Sequence, residues 1–245
     1  MGDPLKVLQI TDSHLYSDRN AVKNGVNPFN SLQDVLVSAL AEYQPDAVVH
    51  TGDLADEAIE QTYAMFLEFL QSHTRAPLVC TPGNHDLEVA FHNVCPAEDL
   101  QVGEWRITTV DSHVDNEVAG HITQPHLELL ERKLHQHDGF TLVATHHPPV
   151  PIGVAWIDAH CIDNGEKLMQ LCAANSHVRG LTCGHVHQAF EQSNKQFELM
   201  TTPSTCWQFS EDSDTFGFST KTPGWRWIFL YESGDISSQV NRLSD

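Results

Sequence analysis

The stretch Pro82-Gly83-Asn84-His85-Asp86 sets three polar side chains in a row directly after the apolar run Leu78-Val79-Cys80. A buried strand should end there, with the Pro and Gly bending the chain. Packing gives no reason to gather an amide, an imidazole and a carboxylate at such a turn. Metal or phosphate chemistry does: Asn offers a carbonyl oxygen, His a nitrogen ligand or a proton, and Asp a charge or an orienting hydrogen bond. Taken alone, the stretch also fits a polar turn with Asp86 capping a helix.

The same association recurs along the chain. Asp12 and His14 follow the strand pattern Leu5–Thr11, Asp53 follows Asp46–Thr51, His146 follows Phe140–Thr145, and His185 and His187 follow Val178–Cys183. In α/β sheets ligands bind beyond the carboxyl ends of the strands, so these side chains should converge although they are far apart in sequence. His185 and His187, two positions apart, should point the same way. The candidate ligand set is Asp12, His14, Asp53, Asn84, His146, His185 and His187. It mixes nitrogen and oxygen donors and has no thiolate. That suits iron or manganese first, with zinc, cobalt or nickel after them, better than a dedicated Ca or Mg cage. The set exceeds what one open catalytic metal needs, so two ions are expected, with Asp53 best placed to bridge them. Two ions about 3.5–4 Å apart can share a hydroxide and clamp both oxygens of an in-line displacement at phosphorus.

The elements that must position these groups read as β-loop-α repeats. Ser31–Tyr43 carries apolar residues at helical spacing, with Ser31 as its start, and a second helix is expected from about Glu57 to Ser72. Glu104–Asp111 alternates like a strand, Gln124–His137 is amphipathic, and a further helix is expected from about Asn164 to Ala174. Strands at Ala189–Gln192, Phe197–Thr202, Trp225–Tyr231 and Ile236–Arg242 read as antiparallel, around a loose loop at Ser210–Pro223. The pattern predicts an α/β protein with parallel strands linked by helices, in a single domain spanning 1–245.

Composition bounds the partners. The chain has 13 Lys and Arg against 33 Asp and Glu, a formal net charge of −20, which repels nucleic acid and anionic membranes. It should also repel a small phosphate ester, so phosphate chemistry here needs a strong local positive charge, and divalent metals supply one. No run has the apolar length of a membrane helix, and the strand pattern begins at Leu5 without a signal-like segment, so a soluble cytoplasmic protein is expected. The six cysteines form no CxxC pair, which argues against a disulfide framework or a structural zinc site. Neither a G-x-S-x-G elbow nor a P-loop occurs.

The ordered set Asp12-x-His14, Gly52-Asp53, Gly83-Asn84-His85-Asp86, His146 and Gly184-His185-x-His187 resembles the calcineurin-like metallophosphoesterase superfamily. Longer segments (VLQITDSHLY, TGDLAD, TPGNHD, HHPPVPIGVAWIDAH, CGHVHQ, TPSTCWQF and PGWRW) resemble the bacterial class III 3′,5′-cyclic-AMP phosphodiesterases, from Leu5 to Leu243. The resemblance implies a four-layer α/β/β/α sandwich of two mixed sheets with flanking helices. It implies one metal on Asp12, His14, Asp53 and His187, and a second on Asp53, Asn84, His146 and His185. The implied activity is hydrolysis of 3′,5′-cyclic AMP to 5′-AMP, the alternative being another phosphodiester or a monoester at the same centre. His85 would assist the departing 3′-oxygen, with Asp86 either orienting it or capping the next helix. Asn84, His85 and His187 would contact substrate; Trp156 and His160, with Asp158, belong either to the nucleotide pocket or to a self-packed loop. His147 is expected to support His146 rather than bind metal, and homodimer formation is left open.

Overall fold

A computed structural model of the chain describes residues 2–95, 99–193, 196–212 and 214–244. Short apolar runs closed by turn residues make β1 (Leu5–Ile10), β2 (Ala47–His50) and β3 (Leu78–Cys80). The three lie parallel and are linked through α1 (Pro28–Glu42) and α2 (Glu60–His73). After α3 (Glu88–Val94) come β4 (Asp99–Val102), β5 (Trp105–Thr109), α4 (Gln124–His135), β6 (Phe140–Thr145) and α5 (Ala155–Asp158). The chain continues through α6 (Gly165–Ala174), β7 (Val178–Cys183), β8 (Phe190–Ser193), β9 (Glu198–Thr201) and the short pair β10 (Gln208–Phe209) and β11 (Phe218–Ser219). It closes on β12 (Gly224–Leu230) and β13 (Ile236–Arg242).

One mixed sheet runs β13-β12-β1-β2-β3 and the other β4-β5-β6-β7-β9-β8. Strand alternation assigns their faces. Val7, Val49, Val79 and Ile228 of the first sheet meet Ile107, Leu142, Ala144 and Met200 of the second in an apolar layer between them. Leu8, Ile10, Val48 and Trp227 point the other way, onto α1 and α2, while Val143, Leu181 and Leu199 carry α4 and α6. The result is the expected layer order of helices, sheet, sheet, helices.

A buried amide ties the sheets together near the strand ends. Gln9 Oε1 accepts from Thr182 Oγ1 at 2.5 Å and Thr202 Oγ1 at 2.6 Å, and Nε2 donates to Thr51 Oγ1 at 3.0 Å and Cys183 O at 3.1 Å. All four hydrogen-bonding positions of the amide are used, so a polar group between two apolar faces fixes how they are aligned.

Several expectations are corrected. α1 begins at Pro28, capped by Asn27 Oδ1 accepting from Asn30 N at 2.9 Å; Ser31 instead donates its hydroxyl to Thr205 O at 2.6 Å. α2 begins at Glu60 because the Glu57 carboxylate is taken by the amide and hydroxyl of Ser17, at 2.8 and 2.6 Å. β9 is antiparallel to β8 but parallel to β7, so the later strands are not uniformly antiparallel. The expected loose loop contains β11, paired to β10 through Phe209 and Phe218.

Candidate metal centre and active-site cleft

The turns that leave β1, β2, β3, β6 and β7 all open at one end of the sandwich. Beyond the strands the backbone stays paired: Asp12 N donates to Gly52 O, His14 N to Asp53 O, and Gly184 N to His146 O, at 3.0, 3.0 and 2.9 Å. Asp12, His14, Asp53, His185 and His187 have φ between 47° and 68°, a left-handed region that non-glycine residues rarely adopt. Five strained positions at one site mark it as a place where the surrounding fold holds a costly geometry. Two glycines let the turns close up. A Cβ on Gly52, itself at φ 91°, would lie 2.5 Å from His146 Nδ1, and one on Gly83 would lie 2.3 Å from Asp53 N.

The side chains form two groups sharing one carboxylate. Asp12, His14 and His187 converge on one side. On the other, Asn84 Oδ1 lies 3.1 Å from His146 Nε2 and 3.0 Å from His185 Nδ1. Asp53 stands between them, with Oδ2 3.9 Å from His14 Nε2 and Oδ1 3.5 Å from His146 Nε2.

Hydrogen bonding behind the rings decides what they present in front. His146 Nδ1 lies 2.7 Å from Thr51 O, and His187 Nδ1 lies 2.7 Å from Trp207 O. A carbonyl only accepts, so both Nδ1 atoms carry hydrogen and, in the neutral rings, both Nε2 atoms present lone pairs. His14 is held likewise by Asp56 Oδ1, 2.9 Å from its Nδ1. Yet His187 Nε2 faces His14 Nε2 and Asp12 Oδ1, each at 3.3 Å, and His146 Nε2 faces Asn84 Oδ1. Acceptors face acceptors with no hydrogen between them. Burial keeps His14 and His185 below the ordinary imidazole value, which preserves their lone pairs. Burial opposes the charges on Asp12 and Asp53, but positive charge at the surrounding imidazole positions, whose place bound cations would take, outweighs it and holds both below the usual carboxylate range. This buried convergence of lone pairs and negative charge fits divalent cations.

Asp56, which the motifs did not single out, organises the next layer. Its carboxylate accepts from His14 Nδ1 and from His85 Nδ1, each at 2.9 Å, from Tyr16 Oη at 2.6 Å, and it pairs with Lys23. His85 donates its backbone N–H to Asp53 Oδ1 at 2.8 Å. Burial depresses His85, but the Asp53 charge and the Asp56 bond raise it further, to about 9.

Asp86 is neither of the things expected of it. Its carboxylate accepts from the N–H groups of Leu54, Ala55 and Gly83 and from Tyr63 Oη, at 2.9 to 3.2 Å, and so pins the β2 turn to the β3 turn. The next helix starts at Glu88 without a side-chain cap. The spacing GDLAD, with Asp56 three residues beyond Asp53, was the available signal for the carboxylate that meets His85.

The calcineurin-like phosphoesterase family model matches residues 5–189, which contain all seven candidate ligands together with Asp56, His85 and Asp86. The chain is a calcineurin-like phosphoesterase. Two relatives bear the name 3′,5′-cyclic adenosine monophosphate phosphodiesterase CpdA. That of Escherichia coli K12 is 37% identical, covering 98% of this chain and 90% of its own length. That of Haemophilus influenzae is 35% identical with the same coverage. Among solved structures, a dimetal phosphatase from Danio rerio superposes with TM-score 0.67 at 11% identity, covering 99% of this chain and 100% of its own. The purple acid phosphatase PPD1 of yellow lupin superposes at 0.68 with 13% identity, over 99% of this chain and 52% of its own; both show the fold. Membership of the family carries with it a requirement for divalent metal ions.

In this phosphoesterase the centre opens into a cleft of about 280 Å³. His14, Asp53, Asn84, His85, His185 and His187 line its floor; Trp156, His160, Val118, Phe209 and Phe216 line its walls. Trp156 and His160 thus reach the cleft, while Asp158 belongs to its own loop, accepting from Ile152 N at 2.7 Å and Gly153 N at 3.1 Å. His147 lies close enough to His146 and His185 to form a further candidate metal-binding group with them, but both its ring nitrogens are engaged, by Ser112 Oγ at 2.9 Å and Val118 O at 3.1 Å. Of the aromatic wall residues, Phe209 closes the segment TPSTCWQF but was not singled out within it, and Phe216 carries no motif.

Proposed function

We propose that the chain hydrolyses 3′,5′-cyclic AMP to 5′-AMP at a dinuclear metal centre. The observation that carries the dinuclear reading is the Asp53 carboxylate standing between Asp12, His14 and His187 on one side and Asn84, His146 and His185 on the other. The substrate reading is supported by near full-length similarity to phosphodiesterases named for cyclic AMP. Asp12, His14, Asp53 and His187 would hold one divalent ion, and Asp53, Asn84, His146 and His185 the other. When bound, such ions supply positive charge to the phosphate and make a water nucleophilic at neutral pH.

The chain's own residues do the rest. Asp12 and Asp53 stay anionic, and the carbonyls of Thr51 and Trp207 fix the tautomers of His146 and His187. His85 is the proton donor. Asp56 holds Nδ1, which leaves Nε2 to protonate the 3′-oxygen as its bond to phosphorus breaks. An alkoxide is a poor leaving group, so this proton matters most for a sugar ester and least for a nitrophenyl ester. His160 and Trp156 border the space above the centre and would face the nucleoside. Among the described residues no helix is long and apolar enough to cross a membrane.

The test is direct. Purified protein, stripped and reloaded with manganese or iron, is assayed with 3′,5′-cyclic AMP, 3′,5′-cyclic GMP, 2′,3′-cyclic AMP and AMP. The expected result is metal-dependent turnover of the 3′,5′-cyclic ring to the 5′-monoester. Preference for AMP or for the 2′,3′-ring would overturn the substrate reading.

A further inference from the structure

We propose that Phe216, on the loop between β10 and β11, is the seat on which the nucleobase of the substrate stacks. This rests on the cyclic-nucleotide reading and extends it from the phosphate to the base. The reacting end of the cleft is polar and buried, but a continuous aromatic wall leads out of it. Phe209 stacks on the candidate ligand His187, with centroids 4.1 Å apart and rings 20° from parallel. Phe216 follows 5.7 Å beyond Phe209.

The setting of Phe216 differs from that of an ordinary surface phenylalanine. Trp156, Phe209 and Phe218 meet it at 5.3, 5.7 and 5.1 Å with interplanar angles of 79°, 62° and 77°, so three edge-to-face contacts fix its plane. The β10–β11 pair and the bond from Ser210 N to Gly217 O at 2.8 Å hold the loop that carries it. The ring is nonetheless 60% exposed, next to Phe218 at 46%, and Val118, also a cleft residue, is 50% exposed. Single exposed apolar side chains are ordinary, but several gathered at the mouth of a polar site mark a surface that a ligand covers. A flat, uncharged base suits it, since base–aromatic stacking needs only a fixed π-face and tolerates any base. A pre-set ring also loses little rotamer freedom on binding. The enzyme would then sort substrates by two separate contacts: charge at the floor for the phosphate ring and stacking at the rim for the base.

The experiment compares the metal-loaded wild type with Phe216→Ala, Phe216→Leu and Phe216→Trp. Two substrates share one reacting centre: 3′,5′-cyclic AMP, and a base-free ribose 3′,5′-cyclic phosphate followed by phosphorus NMR. Metal content and thermal unfolding are recorded for each variant. Phe216→Ala and Phe216→Leu should raise KM for cyclic AMP about tenfold or more, the scale of one base stack, with kcat within about twofold. Phe216→Trp should restore KM, and the base-free ester should show no dependence on residue 216. Equal losses on both substrates, rescue by Leu as good as by Trp, or an unchanged KM for cyclic AMP would each overturn the proposal while the cyclic-nucleotide reading stands. Wild-type turnover of neither 3′,5′-ring, with retained cleavage of bis(p-nitrophenyl) phosphate, would overturn that reading and the base seat together.

Discussion

At the floor of the cleft, Asp12, His14, Asp53, His185 and His187 are buried, held at left-handed φ and pressed acceptor against acceptor. At the rim, Phe216 and Val118 stand half exposed on loops and Phe218 on the short strand β11, with Phe216 and Phe218 packed through their ring edges. The floor is costly in isolation and is sustained by two sheets, whose backbones stay paired into the turns. The rim costs little and can vary without disturbing the sheets. On the proposed function the contrast separates two tasks: the floor would lower the barrier to chemistry, and the rim would decide what is held above it. Substitutions at the floor should therefore act on kcat and metal content, and those at the rim on KM.

Replacing the shared carboxylate strikes this contrast hardest. Asp53→Asn should lose metal by elemental analysis and reduce kcat by at least about 10³-fold, beyond the scale of deleting one charge-stabilising group. A variant that keeps both metals and most of its rate would remove Asp53 from the centre. His85→Ala comes next. It should keep its metals yet slow cyclic AMP hydrolysis on the order of a hundredfold, while nitrophenyl esters suffer much less; equal losses on both ester types would rule out the acid role.

Asp56→Asn tests the link between them. Protonated His85 is the form that donates, so kcat should fall as pH rises through the His85 pKa, which the Asp56 carboxylate raises. Without the Asp56 charge that descent should move to lower pH, with a loss of roughly tenfold at neutral pH from weaker orientation of His14 and His85. An alkaline limb that does not move would detach Asp56 from the proton. The smallest effect is expected at the rim's own support: Asp158→Ala removes two loop hydrogen bonds and should raise KM by roughly a few-fold without touching kcat or metal content. A drop in kcat there would blur the line between floor and rim.

How far these regions were legible differs for the same reason. The floor could be read because each strand is a local apolar run, each turn is polar, and α/β topology brings strand ends together. β6, β7 and β13 lie where their hydrophobic patterns put them. Asp86 was misjudged because its neighbour in sequence is His85, whereas its partners are the amides of Leu54, Ala55 and Gly83 and the Tyr63 hydroxyl. Asp56 and Gln9 were missed on the same ground: an Asp in a turn and a Gln in a strand look unremarkable until the opposing element arrives. Phe216 sits in what reads as a loose loop, where an aromatic residue has no period to betray a role, and Phe209 closes the segment just before it.

From the chain of residues alone came the candidate donors, the strand ends that carry them, the excess of acid that demands a local positive charge, and the family. Those are properties of short stretches and of composition, and they survive without knowing what lies across the sheet. Tertiary structure alone decided which carboxylate holds His85, which amide aligns the two sheets, and which phenyl ring is fixed yet uncovered above the centre. Each of these is a contact between residues distant in the chain, and such a contact exists only once packing has chosen the partners.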